Sequence, residues 1–294
     1  MKKWLKRIGL VVLGLVLLGG TIVAYAYFIE PRRLVIVEEH LTVPNLDPKL
    51  DGLRIVAIAD IHTGSNHVPP ERLRLVVEKA NEQNADIIVL LGDYVSETGR
   101  RRTAQEKRDS GDGTELRIPA DIIADNLQGF NAKYGTYAII GNHDWWHNER
   151  KIDVEFERVG IRVLDNEIAN IQVGEATVRL WGIEDLWKNR RVPAEVFEEL
   201  SDKTNVIAMT HNPDSLLTAP AGFAVMFAGH SHGGQINFPI FGPFSPFNDP
   251  RFMDGHAEVD GKHVYVTSGI GTSVLPFRWR VPPEIAVVTL HAAR

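Results

Sequence analysis

Residues 53–62 read Leu-Arg-Ile-Val-Ala-Ile-Ala-Asp-Ile-His, and residues 86–93 read Asp-Ile-Ile-Val-Leu-Leu-Gly-Asp. In the second segment an unbroken apolar run follows the first residue, which is typical of a strand covered on both faces. Both segments change abruptly from apolar residues to Asp, His or Gly. Because open α/β sheets bind ligands beyond the carboxyl ends of their strands, this pair predicts an α/β fold with a polar site at one sheet edge.

The same pattern occurs three more times along the chain. An apolar run at 137–140 ends in Gly-Asn-His-Asp at 141–144, a run at 206–210 ends in His211, and a run at 225–228 ends in Gly-His-Ser-His at 229–232. Further strands are expected at 34–41, as an edge strand, and at 161–164, 171–173, 178–183, 263–267 and 284–290. Helices are expected at 69–80 and 119–130, and the polar segment 98–114 is predicted to be a mobile surface loop.

The five strand ends carry residue types that bind metals. Carboxylate, imidazole and amide groups together suit borderline divalent ions such as Mn, Fe, Zn or Co. On an extended segment Asp60 and His62 point the same way, and His230 and His232 share that spacing. A lone His after a strand is more often an ordinary surface residue, but five coincident strand ends favour a metal site.

These motifs resemble those of the calcineurin-like metallophosphoesterase superfamily: D-x-H, G-D-x-x-D-R, G-N-H-[DE], a lone His and G-H-x-H, in that order over residues 53 to 290. The resemblance implies a two-sheet sandwich flanked by helices. It implies two divalent metal ions, and it gives every site residue a role. The first ion would be held by Asp60, His62 and His232, the second by Asn142, His211 and His230, with Asp93 bridging both, His143 contacting the phosphate and assisting the leaving group, and Asp144 orienting His143.

The chain departs from the superfamily pattern after Gly92-Asp93, where Ser96-Glu97 replaces an Asp-Arg pair that supports the site without binding metal. Two further motifs point to one branch of the superfamily: Gly-His-Ser-His-Gly-Gly-Gln at 229–235, and the late Gly269-Ile270-Gly271 with Pro276-x-Arg278. Together with the N-terminal segment, they resemble the small membrane-associated bacterial phosphodiesterases of the superfamily.

The expected chemistry is hydrolysis of a phosphoric ester. Two ions about 3.5–4 Å apart can bind a phosphoryl oxygen and deprotonate a bridging water, and the hydroxide then attacks phosphorus in line. A protonated His143 can protonate the departing alkoxide. We therefore expect a phosphodiesterase or pyrophosphatase that acts on a membrane-lipid or cell-envelope phosphoester. The alternatives are a non-catalytic metal-binding scaffold on the same fold, and a nuclease.

Residues 1–33 are predicted to form a membrane anchor, and residues 34–294 the metallophosphoesterase domain. Residues 8–29 contain no charge, and as a helix they would cover about 33 Å, enough to cross a bilayer core of roughly 30 Å. Four positive residues precede this run and two follow it, so the catalytic domain is expected outside the cytoplasm. Two alternatives are export after signal-peptide cleavage at Ala24-Tyr25-Ala26 and a buried soluble helix, which the length of the run disfavours.

Composition limits the partners. The 294 residues carry 32 Lys+Arg against 38 Asp+Glu, a net charge of -6, which argues against a nucleic-acid partner. The absence of cysteine excludes disulfides and Cys-ligated metals. The expected partners are a phosphoester substrate, in our preferred interpretation lipid-linked, and the membrane. The sequence does not specify the oligomeric state, the metal or the substrate.

Three aromatic or basic features have two interpretations each. Phe238, Phe241, Phe244 and Phe247 either form a lip at the membrane or cover the sheet edge as core. Trp145-Trp146 either wall the leaving-group pocket or pack beneath the loop. Arg278 and Arg280 either bind a phosphate or head group or are solvated surface charges.

Overall fold

Two six-stranded sheets pack face to face in the computed structural model, which describes residues 2–243, 245 and 248–293. The first sheet contains β1 (Val35–Val43), β2 (Leu53–Ile58), β3 (Ile87–Leu90), β6 (Thr136–Ala138), β7 (Arg162–Val163) and β16 (Glu284–Ala292). The second contains β8 (Ile168–Val173), β9 (Ala176–Gly182), β10 (Val206–Met209), β11 (Val225–Ala228), β14 (Gly255–Val259) and β15 (Lys262–Val266).

Residue alternation along each strand divides the apolar side chains between two cores. In β2, Ile55 and Ala57 belong to the cluster between the sheets, whereas Val56 and Ile58 face the helices on the outer side of the first sheet. All four are fully buried, as expected for a strand covered on both faces. A third cluster covers the outer side of the second sheet. The predicted α/β sandwich flanked by helices is therefore confirmed.

The sheet order places the candidate site at one edge of the sandwich. The first sheet runs β1-β16-β2-β3-β6-β7, and β2, β3, β6 and β7 are parallel. The second runs β14-β15-β11-β10-β9-β8, with its four central strands parallel. Parallel strands deliver their carboxyl ends to the same edge, so the polar segments after β2, β3, β6, β10 and β11 can meet there.

The helices lie mostly outside the sheets and start at local signals. Pro at the first turn opens the helix Pro70–Asn81, and the Asn148 side chain caps the helix Glu149–Arg158 by accepting from the Lys151 amide. The helices are α1 (Lys2–Phe28), α2 (Pro70–Asn81), α3 (Ala104–Ser110), α4 (Ala120–Leu127), α5 (Asn142–His147), α6 (Glu149–Arg158), α7 (Leu186–Asn189), α8 (Glu195–Glu198) and α9 (Ser215–Thr218). Short 3-10 turns occupy Glu30–Arg32, Pro48–Leu50, His232–Gly234 and Pro250–Phe252.

Residues 98–114 are more ordered than the predicted surface loop. They contain most of a hairpin of β4 (Glu97–Arg101) and β5 (Thr114–Leu116), with α3 between the strands. Thr103 and Glu106 form a capping box that starts α3, and Gly111 ends it with a φ of 76°. The prediction was wrong here because these elements bury little apolar surface, so the segment has the composition of a loop.

The helix α1 extends away from the sandwich and contacts it only near its own end. Among the described residues it is the one helix long and apolar enough to cross a membrane. Its Ala26 is buried, and the Ala26 carbonyl accepts a hydrogen bond from the Arg278 amide at 3.0 Å. The Tyr27 ring lies 5.4 Å from that of Phe277 and 5.2 Å from that of His67. The end of α1 is therefore fixed to the loop around residue 278.

Arg278 neither faces a ligand pocket nor lies on the surface, because its side chain is fully buried. Its guanidinium donates to the carbonyls of Ser268, Gly269, Gly271 and Val281. The segment that it holds packs directly on Asp60: a Cβ on Gly269 would lie 2.7 Å from that of Asp60. Arg278 therefore fixes the segment that packs against Asp60, and the predictions that it binds phosphate or is a surface charge were wrong.

Candidate metal centre

The side chains predicted to bind metal converge at the sheet edge. Asp60, His62 and His232 bring potential ligand atoms within 4.8 Å of one another, and so do Asp93, His211 and His230. Asn142 joins the second set, since its Oδ1 lies 3.1 Å from His211 Nε2. The seven residues follow β2, β3, β6, β10 and β11, which explains how positions so distant in sequence come together.

The backbone at this edge is left-handed rather than extended. Five of the seven residues have φ between 46° and 68°: Asp60, His62, Asp93, His230 and His232. The Asp60–His62 pair therefore converges because the chain turns, and the predicted extended conformation of this segment is wrong. A non-glycine residue in this conformation costs of order 1–3 kcal/mol, and such residues cluster at functional sites.

In the first set, a hydrogen bond orients the His62 ring so that its other nitrogen faces the remaining candidate ligands. His62 Nδ1 donates to the Val95 carbonyl at 3.2 Å, which leaves Nε2 to face His232 Nε2 at 3.2 Å and Asp93 Oδ2 at 3.5 Å. His232 Nε2 lies 3.4 Å from Asp60 Oδ1. A hydrogen bond at one ring nitrogen commonly fixes the other for metal binding.

The second set has the same construction. His211 Nδ1 donates to the Leu91 carbonyl at 2.8 Å. Its Nε2 faces Asp93 Oδ2 at 3.2 Å and His230 Nδ1 at 3.1 Å. Asp93 Oδ2 therefore lies between the two sets and faces a histidine of each.

The donor chemistry fits divalent metal ions. Ligands about 2.1 Å from one ion lie roughly 3.0–3.4 Å apart in octahedral or tetrahedral geometry, close to the spacings here. These buried carboxylate, amide and imidazole acceptors face one another with few hydrogen-bond donors between them, an arrangement that a cation satisfies.

Burial keeps most of the imidazoles neutral. It lowers the pKa of His62 to about 4 and that of His230 to about 3, and it holds the pKa of His232 well below its usual range. His211 differs: burial favours its neutral form, but the carboxylates of Asp93 and Asp60 outweigh burial and raise its pKa to about 10. His211 therefore carries a proton that a metal ion has to displace.

We expect metal affinity to increase with pH. Below the His211 pKa of about 10, binding displaces at least one proton, so Mn²⁺ affinity rises about tenfold per pH unit between pH 7 and 9. Calorimetry in buffers of different protonation enthalpy measures the affinity and the proton count together. His256→Gln, in β14 and outside both sets, serves as the control and leaves the slope unchanged. Binding that releases no proton would contradict the assignment.

His143 lies beside the metal sets and pairs with Glu97. Its Nδ1 donates to Glu97 Oε2 at 2.7 Å, and its backbone amide donates to Asp93 Oδ1 at 2.9 Å. Burial lowers the pKa of His143, but the charge of Asp93 and the hydrogen bond to Glu97 outweigh it and raise the pKa to about 9. The side chain is therefore an imidazolium at neutral pH.

Asp144 has different partners from those that the resemblance implies. Its carboxylate accepts from the amides of Asp93, Tyr94 and Gly141 at 2.7–2.9 Å, and so joins the segments after β3 and β6. Glu97 holds the His143 ring instead. The sequence located Glu97 only as a departure from the family pattern, because its contact with His143 depends on the β4–β5 hairpin.

We expect Glu97→Gln to narrow the pH range of activity. A proton-donating His143 must be protonated, so activity falls as pH rises through its pKa, which the hydrogen bond and the charge of Glu97 raise. Removing the Glu97 charge lowers that pKa and moves the alkaline limb to lower pH, with a loss of about ten- to a hundredfold in kcat at neutral pH. Glu115→Gln, on the partner strand β5, serves as the control with an unchanged profile. An unmoved alkaline limb in Glu97→Gln would contradict the positioning role.

A cleft of about 690 Å³ opens beside the metal sets. Trp146 lies 4.9 Å from the His143 ring, and Trp187 lies 4.7 Å from the His230 ring. Of the predicted Trp145-Trp146 pair, Trp146 walls the cleft, whereas Trp145 donates to Asp185. Trp187 was missed because it lies in a short helix without a motif.

The aromatic segment after the last motif is only partly described. Phe238 and Phe241 are exposed, which excludes the core interpretation for these two rings. The predictions for Phe244 and Phe247 fall outside the residues that the structure describes.

The two-sheet sandwich, with these carboxylates and imidazoles at its strand ends, suits a metal-dependent phosphoester hydrolase. The family model for the Calcineurin-like phosphoesterase matches residues 53–234, and the chain belongs to this family. The predictions of the superfamily and of the enzyme class are thereby confirmed.

Relatives extend over most of the chain. It is 28% identical over 272 residues to the uncharacterized metallophosphoesterase YkuE of Bacillus subtilis, covering 91% of this chain and 89% of the relative. It is 28% identical over 273 residues to the phosphodiesterase YaeI of Escherichia coli, covering 90% and 92%. A zebrafish (Danio rerio) transmembrane protein with a metallophosphoesterase domain is 30% identical over 283 residues, covering 90% of this chain and 58% of the relative.

Proposed function

We propose that this protein is a membrane-anchored, dinuclear metal-dependent phosphodiesterase or pyrophosphatase that acts outside the cytoplasm on a lipid or envelope phosphoester. One observation supports the proposal: Asp93 Oδ2 faces a histidine of each proposed ligand set, and both sets lie next to a cationic His143 at the wall of a largely apolar cleft.

The ligand sets give each ion its own residues. Asp60, His62 and His232 would hold the first ion; Asn142, His211 and His230 would hold the second; Asp93 would bridge them. When bound, two such ions supply Lewis-acid stabilisation of the phosphoryl group and an activated water.

The protein's own side chains do the rest. His143, kept protonated by Asp93 and Glu97, donates a proton to the leaving oxygen and stabilises negative charge on the phosphoryl group. Asp144 keeps the Asp93 and Gly141 segments in place through their amides. The Trp146 and Trp187 rings bind an apolar part of the substrate and exclude water from that side of the cleft.

Three observations favour a lipid-linked diester. The cleft is walled by Trp146, Trp187, Val274 and Leu275, which suits a hydrocarbon chain. The end of α1 is fixed to the loop that carries Val274 and Leu275. The relative YaeI is named a phosphodiesterase, which favours a diester over a monoester.

The test uses the purified full chain with Mn²⁺ and two chromogenic substrates, bis(4-nitrophenyl) phosphate and 4-nitrophenyl phosphate. We expect metal-dependent turnover that favours the diester and stops when a chelator removes the metal. No turnover by protein with metal bound would refute the catalytic proposal and favour the scaffold. Comparison of envelope lipids from cells with and without the gene then identifies the substrate, and digestion of polynucleotide would instead indicate a nuclease.

A further inference from the structure

Two loops that begin at the wall of the cleft carry exposed apolar side chains at their tips. A hairpin of β12 (Asn237–Phe238) and β13 (Gly242–Pro243) has Ile240 and Phe241 at its tip, exposed by 87% and 86%. In the loop 272–277, Val274 is 88% and Leu275 49% exposed. Single exposed apolar residues are ordinary, but neighbouring clusters mark an interaction surface.

The two tips belong to one surface because their loops are bonded together. The Asn237 amide donates to the Trp279 carbonyl at 3.0 Å, and the Phe238 and Trp279 rings lie 6.0 Å apart. Gln235 contacts the other loop by accepting from the Ser273 amide at 2.7 Å and donating to the Leu275 carbonyl at 3.2 Å.

The same surface continues to the end of α1. The Arg278 amide bonds to the Ala26 carbonyl, and the Phe277 ring contacts Tyr27. Since consecutive Cα atoms are about 3.8 Å apart, Val274 lies at most about 11 Å from Phe277.

Anchoring by α1 sets the level of this surface relative to a bilayer. The uncharged run 8–29 places Tyr27 at the outer boundary of the hydrocarbon, where tyrosine is enriched. The polar zone on each side of the hydrocarbon is roughly 5–8 Å thick, and the loop 272–277 enters this zone at the contact between Phe277 and Tyr27.

We propose that Ile240, Phe241, Val274 and Leu275 form a membrane-contacting rim that enters the outer boundary of the bilayer next to α1. The inference rests on the proposed anchoring. Because Val274 and Leu275 also line the cleft, the cleft opens at the bilayer surface, and a lipid phosphoester reaches His143 without leaving the membrane.

The occupant is a bilayer rather than a protein partner. A stable protein interface takes about 800 Å² per partner, usually 20–30 residues, whereas the rim has four large apolar side chains. Its side chains stand on loop tips, which can enter a fluid interface without a complementary shape. The rim is also continuous with the end of the helix that anchors the chain.

The absence of native cysteine permits a direct depth measurement. Single variants Ile240→Cys, Val274→Cys, Val16→Cys and Glu175→Cys carry a nitroxide in the full chain, reconstituted in phosphatidylethanolamine–phosphatidylglycerol vesicles. Glu175 precedes β9, which runs towards the site, so it marks the opposite end of the sandwich, and its side chain is 83% exposed. Collision with oxygen and with a water-soluble nickel chelate reports depth.

We expect the labels at 240 and 274 to be shielded from the chelate and accessible to oxygen, with the label at 175 showing the reverse. A label at 16 that is open to the chelate would refute the anchoring and with it the rim. A label at 16 that is shielded, with 240 and 274 matching 175, would overturn the rim alone.

A second test distinguishes the access of a membrane-bound substrate to the cleft from the hydrolysis reaction itself. The double variant Ile240→Asp/Phe241→Asp is compared with Val154→Asp, which alters a 58% exposed residue on α6. We expect the double variant to hydrolyse hexadecyl 4-nitrophenyl phosphate in vesicles at least tenfold more slowly, and soluble bis(4-nitrophenyl) phosphate at the rate of the control. Equal losses on both substrates, or none on either, would overturn the rim.

Discussion

Exchange of Asp93 for Asn is expected to lower phosphodiester hydrolysis about a thousandfold and to reduce the bound metal below one ion per chain. Asp93 Oδ2 faces His62 at 3.5 Å and His211 at 3.2 Å, so its charge serves both ligand sets. Loss of several kcal/mol of electrostatic stabilisation corresponds to a factor of this size. Steady-state kinetics and elemental analysis of the same preparation measure the two effects.

The matched control is Asp86→Asn. Asp86 precedes the same strand, β3, whose other end leads to Asp93, and it accepts from the Arg54 amide at 2.9 Å. We expect this variant to keep its metal and nearly all of its activity. Full metal occupancy in Asp93→Asn would contradict the bridging role even if activity fell.

Exchange of His143 for Gln is expected to lower kcat about a hundred- to ten-thousandfold while leaving the metal content unchanged, since general acid catalysis contributes about this much. His143 belongs to neither proposed ligand set, yet its ring stacks edge-on against His62 at 4.9 Å. The loss is expected to be larger for an alkoxide leaving group than for 4-nitrophenolate, because the latter departs without a proton. Parallel kinetics with an alkyl and an aryl diester measure this difference.

His147→Gln separates the catalytic effect from damage to α5. His147 lies on the same helix, and its ring bonds to the Thr114 carbonyl, a contact that a Gln side chain can also make. Equal losses for the alkyl and aryl substrates in His143→Gln would argue that His143 stabilises the phosphoryl group only and does not protonate the leaving oxygen.

Much of the fold was predictable because buried strands can be recognised from short apolar segments of the sequence. The strands β2, β3, β10 and β11 are short apolar runs, and the change to Asp, Asn or His marks their carboxyl ends. Parallel strands bring such ends together, so the position of the candidate site followed from the same pattern. The assignment of Asp60, His62 and the other ligands to metals stays a prediction.

The remaining features depend on contacts distant in sequence. The pairing of Glu97 with His143 requires the β4–β5 hairpin, whose residues are mostly polar. Arginine is usually a surface residue, so the sequence does not predict that Arg278 is buried. Its burial results from the loop 268–281, which folds around the side chain. The left-handed backbone at Asp60 and His62 is imposed by tertiary packing, against the ordinary preference of those residues.

The position of β16 affects how the protein is made. It lies between β1 and β2 and pairs with β1 from Val35–Glu284 to Val43–Ala292, although every other described strand precedes it in the sequence. This strand of the first sheet is therefore synthesised after both of its neighbours, which until then carry unpaired edges prone to aggregation. Formation of such a sheet is slow, because the paired strands β1 and β16 are separated in sequence by almost the whole domain. Chains of this type accordingly have a long interval in which a chaperone is of use.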